Sequence, residues 1–491
     1  MTSESASRDN ARRRARIGVV ALAVRSSAQI VLSFAAMLIL ARLLKPADFG
    51  IFAIAQFSVT LLGLFGNVGF GPALIQRNEA PTQRELATIW WAQLALSMLV
   101  VPALLVFSTL VRRIWIDLPQ TAEPLLRVLA ISFLFNTLRI VPTILLEREL
   151  RFVPLAIIEL ASSVTYFGIA VGVAYAAGDV SALVYAVVAQ SIVGCVLVYV
   201  AMPWRPTFEF DVVKLKAVAR YGAAFQGNVF IGFANNAVAP LLIGIVLGKV
   251  ALGLNGFAQT LAWLPLRLVE IVGRVGFPLY SRLRDDRPQL ARELRMNVQL
   301  CGIATALCSG LLFVVGGPAI EWVYGAKWQA AVPLLQVYSS VMLLGFVSPI
   351  ASALFSSFGR PGLMFRLALG WTVVNWLVVG LAMSLAPSLM VYSLAYSVHV
   401  VVGNLVVLVL VRRMLPDARI GRSVAALVAA ATVTASVGQW LVTPRLHEGW
   451  QIGVAAAACC TTLVALAATF DRSLLSVLRA VFSVGRRRET P

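Results

Sequence analysis

Four arginines, Arg25, Arg139, Arg267 and Arg274, and two glutamates, Glu159 and Glu270, stand inside stretches of chain that are otherwise apolar. A guanidinium stays charged at physiological pH and offers a planar fork of donors that meets phosphate or carboxylate oxygens two at a time. Placing one at the middle of a bilayer costs about 2.5–3.5 kcal/mol on insertion scales, so it should face a polar path. The chemistry in view is capture of an anionic group, with the two carboxylates free to hold a cation or a proton. Arg267, Glu270 and Arg274 follow at i, i+3 and i+7, which is one face of a helix, and that face is net positive. Counted at 1.5 Å per residue from the nearest flanking arginines, Arg25, Arg139, Glu159 and Arg274 lie at a common depth of about 12–14 Å, and Arg267 about 20 Å deep. Asn228 joins the same level and begins a polar stripe with Gly232 and Asn235. A structural reading stands beside this one. Long arginines can snorkel to the headgroups, Glu159 can pair with Arg139 and Glu270 with Arg267 and Arg274, and the asparagines can be glue between helices.

The elements that must position these groups are membrane helices. Of the 491 residues 59% are hydrophobic and only 13% charged, with a mean hydropathy of +0.86, far above a soluble domain. About fourteen apolar segments have spanning length, near 17–42, 50–72, 86–110, 124–146, 152–177, 180–202, 221–247, 254–280, 296–317, 332–355, 363–385, 388–411, 421–442 and 450–470. Runs such as 184–201 lack the alternation of a barrel strand. The expected fold is therefore an all-α polytopic membrane protein. Both ends are basic, with Arg12, Arg13, Arg14 and Arg16 at one and Arg486, Arg487 and Arg488 at the other, which predicts cytoplasmic termini. Basic residues gather in the segments on that side, so the +19 net charge points to anionic lipid headgroups and not to nucleic acid.

Several chemistries lack their signatures. The first apolar run continues past any small-residue cleavage site and reads as a span. The five cysteines, Cys195, Cys301, Cys308, Cys459 and Cys460, fall in spans without metal spacing. His447 sits in a short loop, and His399, within a span, reads as a hydrogen-bonded structural residue in preference to a proton relay. The stretch GIVLGKV at 244–250 is too short for a phosphate loop and has no Ser or Thr after Lys249. No loop exceeds about twenty residues, which leaves no room for a catalytic domain; no enzyme activity, metal or organic cofactor is expected. The connections 203–220 and 281–295 mix charge with apolar side chains and are expected to form short interfacial helices.

The chain also echoes itself. Leu44, Gly50, Ala55 and Gln56 recur 203 residues later as Leu247, Gly253, Ala258 and Gln259, and Pro124, Leu125, Leu126 and Val128 recur as Pro333, Leu334, Leu335 and Val337. Two echoes in order at nearly one offset predict a six-span unit used twice in the same orientation. The expected organisation is a basic cytoplasmic segment 1–16, a lobe of six helices at 17–202, a cytoplasmic connector at 203–220, a second six-helix lobe at 221–411, two further helices within 421–470 and a basic tail at 471–491.

The runs ARLLKPADFGIFAIAQ at 41–56, GFGPALIQRNE at 69–79, LLERELRF at 145–152 and YGAKWQAAVPLLQV at 324–337 resemble the polysaccharide transporter family, Wzx-like flippases of the multidrug/oligosaccharidyl-lipid/polysaccharide exporter superfamily. The resemblance covers most of the first twelve spans. It implies two six-helix lobes around a central cavity in the bacterial inner membrane, with alternating access carrying an undecaprenyl-diphosphate-linked oligosaccharide for exopolysaccharide, capsule or O-antigen biosynthesis. On that reading Arg25, Arg139, Asn228, Asn235, Arg267 and Arg274 bind substrate, and Glu159 and Glu270 are candidates for coupling to Na+ or H+. Polysaccharide polymerase and export machinery are the implied partners. A cation-coupled multidrug antiporter would share the fold but favour carboxylates in its cavity, and a polymerase or ligase would need a larger external loop.

Overall fold

The computed structural model describes residues 24–66, 74, 80–115, 117–359, 361–441 and 449–470. The terminal segments 1–16 and 471–491, most of the run at 69–79, His447 and the side chains of Asn228 and Arg274 lie outside the described residues. The described chain is helical, without strands, as lipid demands, because a bilayer offers no partner for an open backbone group. Twelve helices are long and apolar enough to cross a membrane. The expected count of fourteen is not reached among the described residues; the eighth and the last segments are the two that fall short. The eighth expected segment, 254–280, is broken at Trp263 and carries Arg267, Glu270 and Arg274; the last, 450–470, is helical over Gly449–Phe470.

The chain divides into two compact units, 1–253 and 254–491. In the first, α1 (Val24–Leu43), α2 (Pro46–Gly66), α3 (Gln83–Ile114), α4 (Ala122–Leu138), α5 (Ile140–Arg148), α6 (Phe152–Ala177), α7 (Ser181–Ala201) and α8 (Val212–Asn236) follow in order. Helices α6 and α7 pack along their length, and α7 also packs on α4. Small residues make this close approach possible: Ala36, Ala170, Ala174, Ala182 and Ala186 form a buried seam with Leu40, Leu44 and Leu183. The expected connector 203–220 is extended only as far as Asp211, where α8 begins. Pro203 and Pro206 keep it out of helix, and the start of α3 holds it: Gln83 donates to the Arg205 carbonyl at 2.8 Å, Trp91 to that of Thr207 at 2.9 Å, and Thr88 Oγ1 accepts from the Asp211 amide at 3.0 Å. The Asp211 carboxylate caps α8 by accepting from the amides of Val213 and Lys214. The Lys214 amide, followed by Arg84, keeps that carboxyl below its ordinary range.

After α8 a single π turn, Ala239–Ile243, runs through Gly244–Val246 into α9 (Gly248–Ala262), within which the division between units falls. At its start the first unit contains a reciprocal contact. A Cβ on Gly50 would collide with the Lys249 carbonyl, and one on Gly253 with the Pro46 carbonyl. Lys249 and Gly253 stand 203 residues beyond Pro46 and Gly50, so each helix offers a glycine to the same position of the other. The obstacle is backbone on both sides and cannot swing away. Gly50→Ala and Gly253→Ala are each expected to cost about 1–3 kcal/mol through overpacking, seen as lower yield of monodisperse protein after extraction in mild detergent. Beside this contact the loop before α4 closes on the same turn. Asp117 pairs with Lys249 Nζ at 3.1 Å, and Trp115 Nε1 donates to the Pro240 carbonyl at 3.1 Å.

The second unit contains α10 (Leu264–Arg282), α11 (Arg287–Tyr324), α12 (Val332–Gly345), α13 (Val347–Ser357), α14 (Pro361–Leu385), α15 (Leu389–Met414), α16 (Ile420–Leu441) and α17 (Gly449–Phe470). Helix α11 is its spine, with 38 residues, about 57 Å at 1.5 Å per residue; it packs against α12, α16 and α17. No separate interfacial helix forms at 281–295. Asp286 caps α11 through the Gln289 amide, and the helix runs on from Arg287 into the span. The core includes Val269, Tyr280, Leu290, Leu294, Phe346, Leu354, Phe355, Leu415 and Ile420. All five cysteines are free, Cys195, Cys301 and Cys459 being buried.

A polar cavity beside Arg139

Arg139 owes its place to a proline three residues on. Pro142 has no N–H to give the Leu138 carbonyl, so the helix breaks between α4 and α5 with Arg139 as the residue between them. The Tyr199 hydroxyl of α7 takes up the freed carbonyl at 3.0 Å. The break turns Arg139 toward a cavity of about 330 Å³ lined by Phe52, Gln56, Asn136, Arg139, Val187, Gln190 and Ser191. Four of these side chains are neutral and polar, and Asn136 donates to Ser191 Oγ at 3.1 Å. Among the described residues no carboxylate forms an ion pair with Arg139. The cavity therefore presents one positive charge ringed by amide and hydroxyl groups, a lining that can hold water and receive an anion.

One glycine decides how the guanidinium lies. A Cβ on Gly194 of α7 would sit 2.5 Å from Arg139 Nη1 and 3.1 Å from Ser162 Oγ. Arg139 crosses α7 only because that position is bare. Since the colliding atom is the tip of a flexible side chain, Gly194→Ala should shift the charge and leave the fold intact. We expect the Ala variant to accumulate like the parent while transport drops several-fold. In an Arg139→Gln background the same change should have almost no further effect on transport, a non-additivity that a double-mutant cycle reads directly.

The sequence candidates do not all converge here. Glu159 on α6 is ion-paired with Arg25 on α1, not with Arg139; one turn further on, Gln29 donates to Ser163 at 3.0 Å. Arg139 and Glu147 are near enough for their charges to interact with that of Glu159, so two arginines and two glutamates form one electrostatic group in the first unit. Asn235 is half-buried on α8 and does not line the cavity. In the second unit α10 turns Val269 and Tyr280 into the core and leaves Arg267 and Glu270 exposed, the shared face that their spacing predicts. Gln56, Asn136, Gln190, Ser191, Gly194 and Glu147 were not singled out from sequence. Gln56 and Gln190 had a readable signal, as amides within apolar runs, whereas Gly194 had none. His399 is buried, with Nε2 3.1 Å from the Trp371 carbonyl.

Fold and site together define a multi-pass helical membrane protein whose first unit encloses a cationic polar cavity. Among solved structures, the lipid II flippase MurJ in an inward closed conformation superposes with a TM-score of 0.76 at 14% identity, covering 92% of this chain and 99% of that one. An inward-facing multidrug resistance MATE family transporter of the MOP superfamily gives 0.61 at 16% identity over 82% and 99%. These likenesses concern the fold. In sequence, residues 39–333 match the family model described as polysaccharide biosynthesis protein. The teichuronic acid biosynthesis protein TuaB of Bacillus subtilis is 31% identical over 69% of this chain and 70% of its own length, and the lipopolysaccharide biosynthesis protein WzxC of Escherichia coli 26% identical over 65% of each. The chain belongs to the polysaccharide biosynthesis protein family.

Proposed function

We propose that this protein is a flippase that moves undecaprenyl-diphosphate-linked oligosaccharide from the cytoplasmic to the outer leaflet of the bacterial inner membrane, without covalent chemistry on its cargo. The observation that carries the reading is Arg139, a cation with which no carboxylate among the described residues forms an ion pair, on the wall of a polar cavity inside helices long and apolar enough to span a membrane. A diphosphate supplies the charge and the paired acceptors that a guanidinium prefers. Glycans suit the surrounding amides and hydroxyls, and the polyprenyl tail can stay in lipid. The names of TuaB and WzxC, biosynthesis proteins of teichuronic acid and of lipopolysaccharide, agree with this cargo. A drug/cation antiporter on the same fold would want a carboxylate where this cavity has arginine.

Both termini belong on the cytoplasmic side, where basic segments meet anionic headgroups, and polysaccharide polymerase and export machinery are the expected partners downstream. Alternating access would be driven by Na+ or H+ at Glu159 or Glu270, or by supply and consumption of cargo. The test is reconstitution in liposomes with extracted lipid-linked oligosaccharide, following exposure of the glycan to an impermeant reagent. Exposure should be faster with protein than without it. Equal rates in the two preparations would end the proposal.

A further inference from the structure

The second unit contains a row of aromatic rings that the charge-based reading leaves unused. Tyr392 lies nearly parallel to Tyr396, with centroids 6.3 Å apart and an 8° interplanar angle, and Tyr396 stacks on Trp263 at 6.3 Å and 29°. His399 follows 6.0 Å from Tyr396 and 4.9 Å from Trp371. Tyr338 and Asn255, both buried, back the row and are joined through the tyrosine hydroxyl. Tyr396 and Trp263 are partly exposed. On α15 the most exposed large hydrophobic residues, Leu394, Val398, Val402 and Val409, lie on the opposite side of the helix, the side suited to lipid. The accessible edge of Tyr396 is therefore turned away from that face.

Two polar atoms flanking Tyr396 are buried without a partner, His399 Nδ1 and Trp263 Nε1. A carbonyl only accepts, so the bond to Trp371 O assigns the proton to His399 Nε2 and leaves Nδ1 as an acceptor. Indole N–H only donates. One side of Tyr396 thus lacks a donor and the other lacks an acceptor. A ligand carrying several hydroxyls offers both kinds of group once the rings around Tyr396 part to uncover these atoms, and a hydroxyl-bearing ring can lay its C–H groups on an aromatic face, where the π quadrupole is negative. Trp263 also sits four residues before Arg267, at the junction of α9 and α10, so the Cβ atoms of this ring and this exposed arginine are about 5–6 Å apart, one helical turn along.

We propose that Trp263, Tyr396 and His399 form a subsite for an uncharged sugar ring, placed one turn from Arg267 so that the second unit engages a glycosyl group next to its phosphate. This rests on the flippase reading and extends it to the glycan. Two lipids test it on the full-length protein in nanodiscs: polyprenyl diphosphate bearing the oligosaccharide, and the same lipid without sugars. Trp263→Leu and Tyr396→Leu should each weaken binding of the glycosylated lipid about 3–10-fold, the size of an aromatic stacking contribution, and leave the bare lipid unchanged. Trp263→Phe should retain most of the affinity, and keeps the comparison open if the Leu variant fails to fold. Arg139→Gln should weaken both lipids, which marks the diphosphate separately. Equal weakening of both lipids in the aromatic variants, or no weakening of either, would overturn the subsite. Parent protein that binds neither lipid would overturn the flippase reading itself, and the subsite with it.

Discussion

Arg139→Gln should lower the rate of glycan exposure in liposomes by about 10–100-fold, the loss expected when a charge-assisted hydrogen bond of about 1.5–3 kcal/mol is removed. The fold should survive, because no carboxylate is left unpaired by the change and glutamine still reaches the polar wall. Arg139→Lys should recover only part of the rate, since lysine keeps the charge and loses the fork. The measurement is the initial rate at matched protein per liposome, with abundance read from the same preparation. Unchanged transport in Arg139→Gln would remove the cavity from the mechanism.

Glu159→Gln should behave in the opposite way, as a folding defect. It strips Arg25 of its ion-pair partner while Arg25 stays mostly enclosed, with 21% of its side chain exposed. Breaking a fully buried pair costs about 3–5 kcal/mol, and the 37% exposure of Glu159 brings the figure down to about 2–3 kcal/mol. Folded protein should fall accordingly, and the Arg25→Gln, Glu159→Gln double variant should restore it. If the double variant is abundant but transports poorly, the pair acts in transport as well as in folding. A restored rate would make it purely structural.

The contrast between these two variants shows what could be read from the sequence. Most spans were legible because lipid forces the backbone into helix and the side chains to be apolar. Charge at depth was legible for the same reason, which is how Arg139 and Arg25 stood out. The partner of Glu159 was not, since Arg25 lies 134 residues away in sequence and nothing local distinguishes it from Arg139. The seat of Arg139 was hidden further still. Gly194 is an ordinary small residue in an apolar run, and its role depends on a side-chain path that only the folded chain defines. The breaks at Arg139 and Trp263 follow from Pro142 and Pro265, but a proline in a membrane helix signals a bend without telling which side chain the bend will aim.

The crossing of Pro46–Gly50 with Lys249–Gly253 is the kind of surface that two identical subunits make when they meet across a twofold axis, each lending the other the same pair of residues. Here both segments belong to the first unit of one polypeptide. Tethering replaces a bimolecular encounter with a high effective concentration, so the contact need not be strong enough to hold separate partners together. It also frees the two segments from being alike beyond their glycines, and the chain uses that freedom: Lys249 pairs with Asp117, while the residue at its place in the other segment is Pro46. Two identical segments on separate chains would have to carry that lysine twice or not at all.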